Sequence, residues 1–353
     1  MEYIFNDVLE IKNGKNQKTV ENSEGKYPIY GSGGVIGYAD DYICDADTVI
    51  IGRKGNINNP IYVSEPFWNV DTAFGLVPKR EVLLPRYLFY FCKKYNFEKL
   101  NKTVTIPSLT KSDLLNVKME LPAIYEQQLI VDKLTRIESI INLRKHELTA
   151  LDTLIKARFV EMFGNPEANE KEWKMNTFGD ICTVRQGLQI PISKRLTQYE
   201  DDCYEYITVQ YLHGGKEREY IKSPKTSVIC TQNDILMTRT GNTGMVVTGV
   251  DGVFHNNFFL IDFDRNKYDK DFLVQYLKLD IIQADILRRA GTSTIPDLNH
   301  SDFYKIKIFE PPIELQKQFT ELITQVDKSK SAVKKALDET QLLFDSLMQE
   351  YFG

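Results

Sequence analysis

"TVTIPSLTKSDL" occupies Thr103–Leu114 and "TSTIPDLNHSDF" occupies Thr292–Phe303. Seven of the twelve positions are identical at an offset of 189 residues, far more than composition alone produces. The offset persists downstream. Pro122-Ala123-Ile124 aligns with Pro311-Pro312-Ile313, Gln127 with Gln316, and Phe163-Gly164 with Phe352-Gly353. About sixty residues match without an insertion. Upstream the correspondence is sparser. "FNDVLEIKNG" (Phe5–Gly14) resembles "FGDICTVRQG" (Phe178–Gly187) at an offset of 173, so the second copy carries 16 more residues in its middle. "RKGN" (Arg53–Asn56) and "RTGN" (Arg239–Asn242) add a weaker match. The order is variable module, shared segment, variable module, shared segment. A scaffold with two interchangeable heads has this pattern, although duplication by itself fixes no function.

The shared segment reads as a long helix. From Pro122 to Gly164 there is no intervening Pro or Gly, and Ile130, Leu134, Ile137, Ile141, Leu148, Leu151, Ile155 and Met162 fall at steps of four and three. This is a heptad seam, with Arg144 and Arg158 in its two remaining slots. The second copy fills the same slots with Phe319, Ile323, Val326, Lys330, Val333, Leu337, Thr340, Phe344, Leu347 and Tyr351. Each helix is expected to run about 38 residues, roughly 57 Å at 1.5 Å per residue. One reading makes them core helices of separate domains. The preferred reading pairs them as a coiled coil, antiparallel if an internal two-fold relates the repeats. The polar "NPEANEKEWK" after Gly164 reads as a linker.

The heads show short β-rich runs followed by a helical stretch. In the first, "TVII" (Thr48–Ile51), "IYV" (Ile61–Val63) and "AFGLV" (Ala73–Val77) precede a helix expected over Pro85–Leu100. In the second, "DILMTR", "MVVTGV" and "NNFFLIDF" precede a helix expected over Asp269–Ala290. The fold class is therefore α+β, with mixed α/β heads, mainly antiparallel sheets and two long helices. The expected division is residues 1–122 (first head), 123–164 (first long helix), 165–311 (linker and second head) and 312–353 (second long helix). The glycine-rich "YPIYGSGGVIGYADDY" (Tyr27–Tyr42) is not a nucleotide loop. Counted from Gly31, the third required glycine falls on Ile36, and no Lys-Ser/Thr follows. Turn glycines between strands, or a loop whose backbone approaches a ligand closely, are the two readings left.

Composition excludes several classes. With 42% hydrophobic and 26% charged residues, the 353-residue chain is of globular type. No stretch approaches 18 apolar residues, and the acidic start MEYIFNDVLE is no signal peptide, so a cytoplasmic protein is expected. The five scattered cysteines are read as reduced thiols. None of the four histidines stands at metal-ligand spacing, GxSxG is absent, and Glu24-Gly25-Lys26 is a lone ExK. No catalytic or metal-ligating constellation emerges, which points to a binding protein rather than an enzyme.

Positive charge is local. Residues 79–118 hold nine Lys/Arg against three acidic residues inside a head of zero net charge, in a chain of net charge −5. A solvated face and a phosphate-facing surface both fit this cluster. Arg53 and Arg239 lie on glycine-containing loops beside Asn56 and Asn242. Arg suits guanine and Asn suits adenine, although surface Arg and turn Asn are also common. Lys54 and Thr240 share those loops. Lys102, Thr103 and Thr105 in the first copy, and Arg288, Arg289, Thr292 and Thr294 in the second, complete the candidate DNA-binding set.

"EMFGNPEANEKEWKMNTFGDI", "TIPSLTKSDLLNVKMELPAIYEQQLI" and "TIPDLNHSDFYKIKIFEPPIELQKQF" resemble the specificity (S) subunits of type I restriction-modification systems, the HsdS family. The resemblance extends over essentially the whole chain. It implies two target-recognition domains joined by an antiparallel pair of long helices. Each domain would read one half of an asymmetric bipartite double-stranded DNA site, and the helices would act as a ruler for the gap. It further implies DNA adenine methyltransferase (modification) subunits as partners, one per shared segment, and a restriction/translocase subunit. S-adenosylmethionine, ATP and Mg would be bound by those partners, and no cofactor by this chain. The glycine-rich box has no counterpart in the second head, which has "YEYITVQYLHGG" (Tyr204–Gly215) instead, so the half-sites are expected to differ. A protein-binding adaptor and the specificity subunit of a methylation-only defence system are the rival readings.

Overall fold

In the computed structural model, described over residues 1–103, 106–212, 214, 217–291 and 296–353, the chain divides into two units. The first is Met1–His146 with Val333–Gly353, and the second is Glu147–Ala332.

The first unit runs β1 (Glu2–Ile4), α1 (Phe5–Val8), β2 (Leu9–Asn13), β3 (Tyr27–Gly31), β4 (Gly34–Ala39), β5 (Thr48–Gly52), β6 (Ile61–Val63), β7 (Trp68–Asn69), β8 (Ala73–Pro78), α2 (Pro85–Lys94), α3 (Lys111–Leu115), β9 (Lys118–Glu120) and α4 (Ile124–Phe163). An antiparallel sheet has the order β2-β8-β5-β6, a second sheet the order β4-β3-β7, and β1 pairs with β9. Strand β5 is buried on both faces. Val49 and Ile51 enter one core with Tyr87, Leu88 and Phe91 of α2, while Ile50 enters another with Cys44 and Phe67. An uninterrupted "TVII" is the sequence that such a strand requires.

The second unit runs β10 (Lys174–Thr177), α5 (Phe178–Ile181), β11 (Cys182–Gln186), β12 (Cys203–Ile207), α6 (Val209–Leu212), β13 (Tyr220–Lys222), β14 (Ile229–Cys230), β15 (Ile235–Thr238), β16 (Val246–Val247), β17 (Gly252–Phe254), β18 (Phe258–Phe263), α7 (Lys270–Lys278), α8 (Asp280–Ala290), α9 (His300–Tyr304), β19 (Lys307–Glu310) and α10 (Ile313–Phe352). Its sheets have the orders β11-β18-β15-β16 and β13-β12-β17-β14, and β10 pairs with β19. Element by element this repeats the first unit, with α6, β14 and α8 added.

That topology corrects one sequence reading. The glycine-rich box does have a counterpart: β3 pairs antiparallel with β4 and parallel with β7, as β12 does with β13 and β17. Residues 208–219 between β12 and β13, where the first unit has a two-residue turn, hide the equivalence. The helix expected over Asp269–Ala290 is two helices. Leu279 is extended (φ −62°, ψ 137°), and the Gln283 amide donates to the freed Leu277 carbonyl at 2.6 Å. The helix expected over Pro85–Leu100 stops at Lys94, and the Asn96 side chain caps a separate short turn over Phe97–Leu100.

Both long helices are 40 residues. In the first unit Val131, Leu134 and Ile141 of α4 share a core with Phe344 and Met348 of α10, and Lys133 Nζ lies 3.4 Å from the Tyr351 hydroxyl. In the second unit Ile155, Phe159 and Phe163 share a core with Phe319, Ile323 and Val326, and Lys330 pairs with Asp152 at 2.6 Å. Numbers rise on one helix as they fall on the other, so the pair is antiparallel in each unit. Lys330, a polar interruption of the seam, thus meets an acidic partner on the other helix. Arg158 does not hold its expected seam slot. It is exposed and pairs with Glu161, because the last turns of α4 bury Phe159 and Phe163 against α7 and β19 rather than only against a helix.

The repeated glutamines join head to helix. Gln127 and Gln316 are fully buried. Gln127 accepts from Leu84 N (2.9 Å) and donates to the Val82 and Pro122 carbonyls (2.9 and 3.0 Å). Gln316 accepts from Asp269 N (2.8 Å) and donates to the Lys267 and Pro311 carbonyls (3.0 and 2.8 Å). Leu84 and Asp269 are the N-cap residues of α2 and α7. Each amide therefore satisfies backbone groups where a head helix begins, which only a side chain with both donor and acceptor can do.

Candidate nucleic-acid interface

The two weakest sequence matches prove to be one structural device. The strand β5 ends at Gly52 and β15 at Thr238, and each runs into an Arg-x-Gly-Asn loop. In the first unit Arg53 N donates to the Thr72 carbonyl (2.7 Å), and the Arg53 carbonyl accepts from Leu109 N (2.9 Å). In the second, Arg239 N donates to the Asn257 carbonyl (2.7 Å), and its carbonyl accepts from Leu298 N (2.9 Å). Isolated bridges Lys54↔Ser108 and Thr240↔Asp297 continue the clamp. Leu109 and Leu298, the leucines of the repeated Ile-Pro-x-Leu motif, are buried, so the motif anchors itself in the core while its backbone holds the arginine loop. The rest of the motif caps a helix: Thr110 Oγ1 accepts from Asp113 N (3.1 Å) and Asn299 Oδ1 from Asp302 N (2.9 Å). Gly55 (φ +78°) and Gly241 (φ +83°) take the left-handed turn that the loop needs.

The loop side chains differ between units. Arg53 is exposed, and its guanidinium sits 5.7 Å from the centre of the Phe74 ring. Arg239 is forked onto Asp297, Nε to Oδ1 at 2.9 Å and Nη2 to Oδ2 at 2.8 Å, with Nη1 3.4 Å from Gln186 Oε1. Ser108 holds the position equivalent to Asp297, so the first unit has a hydroxyl where the second has the carboxylate that forks Arg239. Lys54, Asn56 and Asn242 are exposed, with Asn242 Nδ2 3.5 Å from Met245 Sδ. Thr240 Oγ1 bonds the Asn257 amide oxygen (3.2 Å). Beside Arg239, burial first and the guanidinium second push the His300 imidazole below its ordinary pKa of 6.5, against Asp297.

The other candidates are dispersed. Lys102 pairs with Asp113 (2.7 Å) in a loop where the Thr103 hydroxyl bonds Asn101 (2.8 Å). Arg288 and Arg289 both pair with Asp285 on α8, facing a groove of about 560 Å³ lined by Met175, Ile281 and Lys307. Burial raises the Asp285 pKa, and the two guanidinium groups more than offset this and hold it low. Thr105, Thr292 and Thr294 lie outside the described residues. The basic stretch 79–118 does not act as a bare cluster, because Arg80, Lys93, Lys102 and Lys118 pair with Asp47, Glu138, Asp113 and Glu2. The sequence reading missed the glutamine locks as a device, although their shared offset was visible, and it missed Asp297 and Gln186, which carry no signal before folding.

Residues 2–153 and 170–340 match the family model described as "Type I restriction modification DNA specificity domain". The chain belongs to this family.

Two curated relatives match over nearly the full length and a third over about half. The putative type I restriction enzyme specificity subunit S.HindORF215P of Haemophilus influenzae is 23% identical over 94% of this chain and 89% of its own. The EcoDI specificity subunit of Escherichia coli is 18% identical over 98% and 86%. The MjaVIII specificity subunit of Methanocaldococcus jannaschii is 23% identical over 52% of this chain, which spans only 42% of that relative. Among solved structures, the S subunit of a type I restriction-modification system from M. genitalium superposes with a TM-score of 0.66 at 18% identity, covering 100% of this chain and 96% of that one. A chain from a structure on complex assembly and conformational transition of the type I R-M system gives 0.61 at 17% identity, covering 100% and 97%. These likenesses establish the specificity-subunit fold. Specificity subunits are the non-catalytic, DNA-recognising members of their complexes. Among the described residues no helix is long and apolar enough to cross a membrane.

Proposed function

We propose that this chain is the sequence-reading subunit of a type I restriction-modification complex, and that each unit reads one half of an asymmetric bipartite DNA site. The observation that carries the reading is the pair of clamped loops. Arg53 to Asn56 and Arg239 to Asn242 project from equivalent strand ends, held by equivalent backbone bonds, with different surroundings. A fixed backbone with variable side chains is what a reader of two unlike half-sites needs. Of the dispersed candidates, Lys102, Thr103, Arg288 and Arg289 are better suited to phosphates.

The partners in this reading are double-stranded DNA, two adenine methyltransferase (modification) subunits docked on the two shared segments, and a restriction/translocase subunit. The long helices set the gap between half-sites. S-adenosylmethionine, ATP and Mg are assigned to the partners and none to this chain. The family membership and the relatives' names support such partnering.

The test is to express the chain with its modification subunit in a host free of adenine methylation and to map methylated adenines genome-wide. A bipartite motif with a constant gap is the expected result. A stable complex that methylates no motif would favour the adaptor reading.

A further inference from the structure

The glycine-rich hairpin of the first unit is not explained by the clamped loops. Its outer strand β4, sequence GVIGYA, has no charged residue. Residues 20–22 cover its far end, with Asn22 N donating to the Tyr38 carbonyl at 2.9 Å and a bridge between Glu21 and Ala39, while Val35 and Ile36 towards the tip are 50% and 56% exposed. Edge strands are ordinarily blunted by lysine, proline or a covering element, because a bare apolar edge invites pairing. The tip end of this edge, at Val35 and Ile36, has no lysine or proline of that kind. The tip has a definite place. Gly31 pairs with Gly34, leaving Ser32-Gly33 as the turn, and Gly34 has φ +127°. Gly33 and Gly34 face open space. At Gly52 a Cβ would sit 3.0 Å from Ser32 Cβ and 2.2 Å from the Asn56 carbonyl oxygen. The hairpin tip thus rests on the strand end from which Arg53, Lys54 and Asn56 emerge.

We propose that the β3–β4 hairpin enters the major groove of the first half-site beside the Arg53–Asn56 loop, and that Ile36 reads a thymine methyl group there. The inference rests on the DNA-reading function proposed above. A two-stranded antiparallel ribbon fits the major groove, and the thymine C5-methyl is the apolar feature that groove presents. The adjoining Arg53 and Lys54 supply charge complementary to the flanking phosphates. The glycines at the tip let backbone come close to the duplex. In the second unit the equivalent ribbon β12–β13 is built otherwise, with Tyr204 on β12 and Glu205 paired to Arg218 at 2.5 Å, so it provides an internal control.

Once the target is mapped, each thymine of the first half-site is replaced singly by deoxyuridine, which removes one methyl group. Binding is measured with the full chain in complex with its modification subunit, as wild type and as Ile36→Ala and Ile36→Ser. Ile36 is exposed, so neither change should disturb folding. At one thymine, the wild type should lose roughly fourfold in affinity, the worth of one buried methylene, and the variants should lose nothing further. Uracils in the second half-site should act alike on all three proteins. Indifference of the wild type to every uracil in the first half-site overturns the proposal, as does equal sensitivity of the variants or a first half-site without an A·T pair. Variants that bind DNA normally but lose a protein partner would assign the edge to strand addition by a protein, and so overturn it too. Failure of the wild type to bind any sequence specifically overturns the DNA-reading function itself, a result distinct from failure of the hairpin alone.

Discussion

Gln316 stands to α7 as Gln127 stands to α2: each buried amide accepts from the N-cap amide of a head helix and donates to two carbonyls, one just before that cap and one just before its own long helix. The pair explains why a glutamine recurs at an offset of 189 residues inside an otherwise apolar-patterned helix start. Replacing Gln316 with Leu leaves one buried donor and two acceptors unpaired. The expected loss is about 3 kcal/mol of unfolding free energy, from the desolvation cost of such groups. Gln127→Leu should match it. Urea unfolding measures both, and a change under about 0.5 kcal/mol in either would remove the lock from this account.

Arg53→Ala and Arg239→Ala should each relax one half-site and leave the other as specific as before, at a cost of about 1–3 kcal/mol where a base contact is lost. Methylation mapping of each variant shows which half loosens. Equal weakening on all sequences would reassign that arginine to phosphate. Because Asp297 forks Arg239, Asp297→Ala should degrade the second half-site, and the first should be untouched.

Acid should loosen the second unit. Burial, with Arg195 nearby, lowers the His255 pKa below its ordinary 6.5, and its Nδ1 accepts from Asn257 N at 3.0 Å. Below pH 6.5 the unfolded chain therefore binds this proton more readily than the folded one, so stability falls as pH falls through that value. His300 has the same sign. Urea unfolding from about pH 8 to pH 5 reads the slope, and His255→Gln, neutral throughout, should flatten it. An unchanged slope would discard the assignment. Asn257 also carries the carbonyl that holds Arg239 N, so reading of the second half-site should weaken over the same interval.

Phe159 is fully buried among Phe163, Phe272, Phe309 and Phe319. Phe159→Ala should cost about 3–5 kcal/mol. The exposed Arg158→Ala, one residue away, should cost under about 0.5 kcal/mol, and calorimetry would tell a core face at Phe159 from a seam at Arg158.

If the helices set the gap, a heptad inserted into each at the point where one unit gives way to the other adds about 10.5 Å, or about three base pairs. A methylation motif whose gap stays the same would refute the ruler.

Much of the fold was legible because it is written in periodicity and repetition. Most slots of the two seams, from Ile130 on α4 and from Phe319 on α10, and the strand runs at Thr48, Ile61 and Ala73 survive folding. What the sequence hid was decided by tertiary context. Arg158 lost its slot to Phe159 because the end of α4 meets a sheet and a helix of the head. The β12–β13 ribbon was disguised by the long excursion through α6. At the candidate interface, the loops carrying Arg53 and Arg239 were visible as a four-residue echo, but the backbone clamp from Leu109 and Leu298 was not, since hydrogen bonds across more than fifty residues leave no local trace.

Since Val333–Gly353 belongs with Met1–His146, the two units differ in when they can be finished on the ribosome. The second is built from an uninterrupted run of chain and can close as soon as that run has emerged. The first emerges first but waits for Val333–Gly353, when the Phe352 ring settles 5.0 Å from Tyr87 and Phe344 joins the core of Leu134 and Ile141. A nascent chain stalled before residue 333 would thus display one completed unit and one still open, although the open one was made first.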